Sequence, residues 1–316
     1  MGVLLLAALP TALYSWLLWR LDRYEREPLH LLAVSFVWGA LPALVLALFV
    51  EVGLGRLAGG VLQPGLDATV IAPLVEEPAK ALALIGLFVF VRREFNGLLD
   101  GIIYGALVGF GFAMSENALY FLDNPDQLAT VWVLRSIIFG FNHAFYTSLV
   151  GIALGLVRYD RRRWLGYVAL PVALLLAMAV HAIHNASVQA GAAGFCVAWV
   201  VDSGGVLVVV AVAVLAQRRE RHWLETQLGS ELATNVIDPR DMEAVCTPST
   251  RFRREWSTLV RRGWLQYRHR RRFHHLVIEL AYAKHQLFHN DRYCRPEDVE
   301  RLRAAVVAQR ALAQET

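Results

Sequence analysis

One apolar stretch decides how the chain folds: residues 68–91 read ATVIAPLVEEPAKALALIGLFVFV. At about 1.5 Å per residue, a helix over this stretch is long enough to cross the hydrocarbon core of a membrane. Its middle nevertheless carries Glu76, Glu77 and Lys80. An ionisable side chain in hydrocarbon costs on the order of 3 kcal/mol, so three of them in one span need a reason for being there.

The rest of the chain has the composition of a membrane protein. Of its 316 residues, 56% are hydrophobic and 18% are charged, whereas soluble domains usually contain about 25% charged residues. We therefore expect an all-α fold, a polytopic transmembrane helix bundle of about seven spans with a C-terminal cytoplasmic helical tail. The spans are predicted at about residues 3–19, 29–51, 68–91, 98–122, 129–157, 164–188 and 195–216.

Charge divides the chain into two parts. Residues 1–216 contain 12 basic and 14 acidic residues, whereas residues 217–316 contain 19 basic and 13 acidic residues. We predict a transmembrane domain over 1–216 and a basic cytoplasmic helical tail over 217–316. Aromatic residues alternate with arginines in the tail, which favours binding to anionic headgroups; no motif indicates nucleic-acid binding. Within the tail, Pro296 followed by Glu297 and Asp298 predicts the start of a helix.

Arginines in the loops predict the orientation, because basic loops stay on the cytoplasmic side. The loops after the first, third and fifth predicted spans and the start of the tail are basic, with Arg20, Arg23, Arg26, Arg92, Arg93, Arg158, Arg161, Arg162, Arg163, Arg218 and Arg219. The other loops contain one basic residue, Arg56. We therefore expect a multi-pass protein of the cell membrane with its N-terminus outside and its C-terminus cytoplasmic.

Polar residues of several spans lie at a similar depth. Counted from the outer ends of their helices, Glu76, Glu116 and His181 lie roughly 10–14 Å below the outer surface. His143 lies nearer the middle of the long fifth span. This convergence predicts one site built by four helices. Further polar residues in these spans and the seventh are Asn117, Arg135, His184, Asn185 and Asp202.

Local spacing suggests how these side chains pair. Glu76 and Lys80 are four residues apart in the favourable order, so Lys80 is expected to neutralise an acid. Neighbouring residues of a helix point about 100° apart, so one of Glu76 and Glu77 is expected to face the site while the other supports it. Asn185 lies four residues after His181 and shares its face. Asp202 has Arg135 as a candidate partner.

Buried carboxylates and histidines on separate helices suit the activation of a water molecule. A glutamate can act as the general base. Alternatively, Glu and His side chains hold Zn²⁺, which polarises the water. Asn185 and a histidine can donate hydrogen bonds to a tetrahedral oxyanion. No HExxH or GxSxG segment occurs in the sequence, which argues against zincin and serine-hydrolase chemistry.

These motifs resemble the PrsW family of intramembrane metalloproteases, which is related to the CAAX protease and bacteriocin-processing superfamily. The resemblance covers about residues 10–190 and rests on EEPAK at 76–80, GFAMSEN at 111–117, HAFYT at 143–147 and HAIHN at 181–185, with RLDRYEREP at 20–28. The superfamily pattern is EExxxR, FxxxH and HxxxN. Lys80 stands one position before the arginine of that pattern, and Glu116 stands in place of its second-motif histidine, so the zinc and metal-free mechanisms both stay open.

The resemblance implies the cleavage of membrane-anchored proteins, such as anti-sigma factors, near the outer face. It implies Glu76 or Glu77 as the base. The expected catalytic residues are Glu76, Glu77, His143, His181 and Asn185; the expected ligands of a metal, which would be zinc, are Glu116, His143 and His181; Lys80 and Asn117 are expected to support them.

Transport is the alternative function, because intramembrane carboxylates and histidines also form proton or cation pathways. The sequence contains no visible inverted repeat of the kind that many transporters have, which favours the protease. A third class is a scaffold in which polar residues only hold helices together. It does not account for the convergence of the polar residues at one depth.

Overall fold

The computed structural model describes residues 2–24, 27–57, 65–160, 162–291 and 293–314. Within these ranges every regular element is helical, which confirms the all-α prediction. Arg26 and Arg161, which contribute to the predicted orientation, lie outside the described residues.

The chain divides into two compact units, one with Met1–Leu21 and Glu27–Val214, the other with Asp22–Arg26 and Leu215–Thr316. The helices of the first unit are α1 (Gly2–Leu21), α2 (Leu29–Leu57), α3 (Ala72–Phe90), α4 (Leu98–Asp123), α5 (Leu128–Trp132), α6 (Asn142–Val157) and α7 (Arg163–Gln189). The next helix, α8 (Gly191–Ala233), begins in the first unit and ends in the second.

Six helical segments among the described residues are long and apolar enough to cross a membrane, which makes the protein a polytopic helix bundle. They are Gly2–Arg20, Leu29–Leu57, Leu98–Asp123, Pro125–Val157, Trp164–Gln189 and Gly191–Ala233. The 19-residue helix α3 is not among them, because Glu76, Glu77 and Lys80 give it three charges. Its crossing of the membrane as a seventh span stays a prediction.

The fifth predicted span is interrupted, so the expectation of one helix over residues 129–157 is wrong. A wide π-helical segment, Val133–Ile138, follows α5, and α6 begins only at Asn142. A β-carbon at Gly140 would collide with the carbonyl of Ser136, so the turn between the two segments requires glycine. The Asn142 side chain accepts a hydrogen bond from the backbone N–H of His143 at 2.7 Å. His143 therefore lies in the first turn of α6 and not in mid-helix.

Helices α4 and α6 touch each other through their backbones. A β-carbon on Gly101 would overlap the carbonyl of Gly151, and a β-carbon on Gly151 would overlap the carbonyl of Gly101. Further along α4, a β-carbon on Gly109 would overlap the backbone of His143. We call this line of contact the glycine seam. Small residues allow such close approach in membranes, and here the approach sets the first turn of α6 against α4.

The second unit is a small helical assembly with its own apolar core. Helix α8 runs on to Ala233, beyond the predicted end at 216, because residues 217–233 (QRRERHWLETQLGSELA) are mostly good helix formers. It is followed by α9 (Pro239–Cys246), α10 (Pro248–Phe288) and α11 (Pro296–Gln314). Helix α11 begins at Pro296, as predicted. The core contains Leu224, Leu228, Val245, Phe273, Val277, Leu280 and Val306.

Candidate active site

Helix α3 brings two carboxylates and an ammonium group together in the interior of the first unit. Lys80 is fully buried, and its Nζ lies 3.0 Å from Oε2 of Glu76 and 2.8 Å from Oε1 of Glu77. Both acids therefore face the same point, and the expectation that only one of them would do so is wrong. A lysine three and four residues further along lies between the two directions, and the long Glu side chains reach it from either side.

His143 connects this group to helix α4. Its Nδ1 lies 3.0 Å from Nζ of Lys80, and its Nε2 lies 2.8 Å from Oε2 of Glu116. Because an ammonium group only donates, Nδ1 must accept, and the ring proton is then on Nε2 and is donated to Glu116. The tautomer follows from these partners. His143 thus uses both of its nitrogens inside the site.

The charge of Glu116 is matched by an arginine. Nη2 of Arg135, from the π-helical segment after α5, lies 2.7 Å from Oε2 of Glu116. Nε of Arg135 donates to Oδ1 of Asn117 at 2.7 Å, and the guanidinium lies over the Tyr120 ring. Asn117 therefore holds Arg135 in place, which gives the predicted supporting residue a defined contact.

Helix α7 contributes His181 from another direction. Its Nδ1 lies 2.9 Å from Oε1 of Glu77, and its ring stacks on Tyr146 with centroids 5.0 Å apart. An N–H on Nδ1 that donates to the carboxylate leaves the lone pair on Nε2 for a water molecule or a metal ion, a common arrangement around metal-binding histidines. The His143 and His181 rings are 5.2 Å apart.

A second buried polar group lies behind His181. The hydroxyl of Tyr146 donates to Oδ1 of Asp202 at 2.8 Å, and Nδ1 of His184 lies 2.6 Å from Oδ2 of the same aspartate. The expected pairing of Asp202 with Arg135 is wrong, because the arginine bonds to Glu116 and Asn117. Sequence reasoning missed Tyr146, although its place three residues after His143 on a helix was a usable signal.

Asn185 is hydrogen-bonded outside this group. Its Nδ2 donates to the backbone carbonyl of Ala68 at 2.7 Å. It shares a face of α7 with His181, as predicted, but lies one helical turn further along.

Four side chains form a compact set of donors, which we call the Glu/His cluster: Glu76, Glu77, His143 and His181. Each offers one oxygen or nitrogen atom, these atoms all lie within 4.8 Å of one another, and all four residues are buried. Oε2 of Glu77 is buried and has no hydrogen-bond partner among the described residues. Carboxylate oxygens and imidazole nitrogens are ordinary zinc ligands, so the donor set is chemically suited to a divalent ion. Glu116 contributes through its bond to His143.

Comparison with known proteins identifies relatives with an assigned activity. A family model described as "PrsW family intramembrane metalloprotease" matches residues 27–224. Protease PrsW of Geobacillus kaustophilus (strain HTA426) is 30% identical over 164 residues, which cover 52% of this chain and 69% of that protein. Protease PrsW of Clostridioides difficile (strain 630) is 28% identical over 187 residues, covering 58% and 78%. No solved structure matches the chain.

Proposed function

The chain belongs to the PrsW family of intramembrane metalloproteases, and from this premise we propose that it cleaves membrane-anchored proteins at the Glu/His cluster. The protein is a membrane-embedded peptidase. The observation that carries the finer proposal is the burial of two carboxylates and two imidazoles with donor atoms within 4.8 Å of one another. That arrangement suits the activation of water against a peptide bond.

Glu76 is the proposed general base. Oε1 of Glu77 is already engaged by Lys80 and His181, whereas Glu76 has one close partner, Lys80 at 3.0 Å, with His181 at 4.0 Å. In the proposed reaction Glu76 takes a proton from water, and the resulting hydroxide attacks the carbonyl carbon of the scissile bond. The carbon–nitrogen bond then breaks as the proton passes from Glu76 to the leaving nitrogen. The products are a carboxylate and an amine.

The remaining residues of the site position the water and stabilise charge. Lys80 fixes the two carboxylates, and Glu116 fixes His143. His181 offers Nε2 to the water, since Nδ1 is used by Glu77. Asn185 is the proposed donor to the oxyanion of the tetrahedral intermediate. For this role its amide exchanges the hydrogen bond to Ala68 for one to the substrate.

Zinc is a further part of the proposal. Glu76, Glu77, His143 and His181 would hold it, with Glu116 as the partner of His143. The support is the chemistry of these donors, their mutual distances and the unpartnered Oε2 of Glu77. A bound Zn²⁺ supplies Lewis-acid polarisation of water or of the scissile carbonyl. The roles of Glu76 as proton acceptor and Asn185 as oxyanion donor are the same with or without it.

The proposed substrates are single-pass regulatory proteins of the anti-sigma-factor kind, cut near the outer face. Support for the position comes from the sequence, which puts Glu76, Glu116 and His181 at similar distances from the outer ends of their helices. Cleavage there would release a regulator from its anchor without unfolding of the soluble part.

Reconstitution in liposomes tests the function class. We expect the purified chain to cut at least one of a panel of single-pass membrane proteins, with product ends that map to the outer half of the span, and to carry no proton or cation flux. The variant with Glu76→Gln and Glu77→Gln is the inactive control. Flux that depends on these two glutamates, with no cleavage of any panel member, would establish the transporter instead.

The tail is proposed to lie on the cytoplasmic side and to bind anionic headgroups. Phe252, Trp256 and Val260 recur every four residues along α10 and are exposed by 67%, 56% and 69%. Exposed arginines flank this apolar stripe, including Arg253 and Arg261. Apolar residues bordered by arginines suit a negatively charged lipid surface.

Limited trypsin digestion checks both statements about the tail. In right-side-out vesicles the tail should stay intact, and in inverted vesicles it should be cut at the arginines of α10. With inverted vesicles, we expect cleavage at Arg253 to be slower by about threefold or more when the lipid is anionic than when it is zwitterionic. Cleavage in right-side-out vesicles would contradict the orientation, and equal rates in both lipids would contradict the headgroup contact.

A further inference from the structure

Lys80 occupies an unusual position for a lysine. Its side chain is fully buried, and its Nζ has electron-rich groups on several sides. Besides the two carboxylates of α3, these are Nδ1 of His143 at 3.0 Å and the ring of Phe112, whose centroid lies 3.8 Å away. A cation is thus held by two anions, an imidazole lone pair and an aromatic face.

The atoms that hold this ammonium group belong to the donor set of a divalent ion. Glu76, Glu77 and His143 are three of the four residues of the Glu/His cluster. Zinc ligands contact the ion at about 2.0–2.2 Å through a lone pair. The lone pair on Nδ1 of His143 accepts from Lys80, and Nε2 carries the proton donated to Glu116, so this ring has no free lone pair while the lysine contact persists.

The charges lead to the same conclusion. Arg135 compensates Glu116 at 2.7 Å, which leaves Glu76 and Glu77 with Lys80 as their cation. Without the lysine, the two carboxylates carry two negative charges beside two neutral imidazoles, which matches a divalent ion. With the lysine in place, a metal ion would approach a like charge in a buried region, where Coulomb repulsion is weakly screened.

We propose that the Lys80 ammonium and a divalent metal ion exclude each other at the Glu/His cluster, so that this lysine sets how tightly the chain holds metal. Lys80 is a tethered cation that takes the place of the ion on three of the four donors. Metal enters only when Lys80 leaves these contacts. The inference rests on the proposed function in that it concerns the same site, but it is tested without a substrate.

Metal titration of the purified, chelator-treated chain in nanodiscs tests the proposal. Zn²⁺ binding is followed by calorimetry and by metal content after desalting, and Co²⁺ is followed by its visible absorption spectrum. We expect Lys80→Met to bind one equivalent with a Kd at least about tenfold lower than that of the wild type. The double variant Glu77→Gln, Lys80→Met should return to the wild-type level, which locates the added metal at the cluster.

Lys284→Met is the matched control, because Lys284 is the other lysine of the chain and forms an ion pair with Glu231 at 2.8 Å in the second unit. Its metal binding should equal that of the wild type. If Lys80→Met does not fold, Lys80→Gln replaces it. The wild type alone gives a further measurement, since little Co²⁺ uptake and no rise in its melting temperature with Zn²⁺ are expected.

Two results would overturn the proposal. One is a wild type that already binds a full equivalent as tightly as the Lys80 variants; the other is a folded Lys80 variant without any gain. Neither outcome depends on peptide cleavage. A chain that cuts no substrate but gains metal on loss of Lys80 would contradict the proposed function and support this inference, and the reverse pattern would do the opposite.

Discussion

Glu76→Gln is expected to lower the rate of peptide hydrolysis at least about a thousandfold and to leave the helix bundle folded. Gln has the shape of Glu but cannot take a proton from water, and general-base catalysis contributes about 10²–10⁴-fold. Only one ion pair, at 3.0 Å to Lys80, is lost, and Glu77 continues to hold the lysine. The measurement is single-turnover cleavage of a membrane-anchored reporter in liposomes.

Glu77→Gln is the matched comparison one residue along. Glu77 accepts from both Lys80 and His181, so its replacement disturbs two helices and should lower the melting temperature of the protein as well as the rate. Glu76→Gln should leave the melting temperature much closer to that of the wild type. If Glu76→Gln retains activity within tenfold of the wild type, Glu76 is not the base.

His181→Ala is expected to lower the cleavage rate by about 10²–10³-fold, the range observed when one group that stabilises a hydrolytic transition state is removed. His181 reaches Glu77 at 2.9 Å and is the member of the Glu/His cluster that comes from α7. Its loss removes the proposed holder of the water. Cleavage in liposomes and the melting temperature are measured on the same samples.

His184→Ala provides the control on the same helix. His184 is also buried and also bonds to a carboxylate, but that carboxylate is Asp202, behind the site. We expect the loss of rate to be within about tenfold, because the group affected packs against the cluster without belonging to it. Equal losses for the two histidines would mean that His181 acts through packing alone.

The main features of the site could be predicted because membranes restrict polar residues severely. A carboxylate or imidazole in a span is costly, so Glu76, Glu116 and His181 were conspicuous in sequence, and helical rise gave their depths. Their convergence needed no knowledge of how the helices pack. The pairing of Glu76 with Lys80 followed in the same way from a spacing of four residues.

The interruption before α6 could not be predicted in this way. Hydropathy averages over a window, so residues 129–157 read as one long apolar helix. The interruption depends on a contact between distant parts of the chain: Gly140 lies where a β-carbon would meet the Tyr14 ring of α1 and the Ser136 carbonyl. The place of His143 in a first turn was therefore beyond what local patterns indicate.

Partner choice was the other limit. Asp202 and Arg135 are opposite charges in apolar spans, and pairing them was reasonable from composition alone. The structure instead gives each a separate set of hydrogen bonds, Tyr146 and His184 for the aspartate, Glu116 and Asn117 for the arginine. Such choices depend on how helices rotate about their axes, which a polarity pattern constrains only weakly where several faces are apolar.

The glycine seam bears on the route by which a substrate helix reaches the cluster from the lipid. Along the seam α4 and α6 present backbone to backbone, at Gly101 against Gly151 and at Gly109 against His143. No side chain stands between them that could swing aside. Separation of these helices would also pull His143 away from Glu116. A substrate that arrives at this wall finds it closed, and its entrance must lie on another side of the unit.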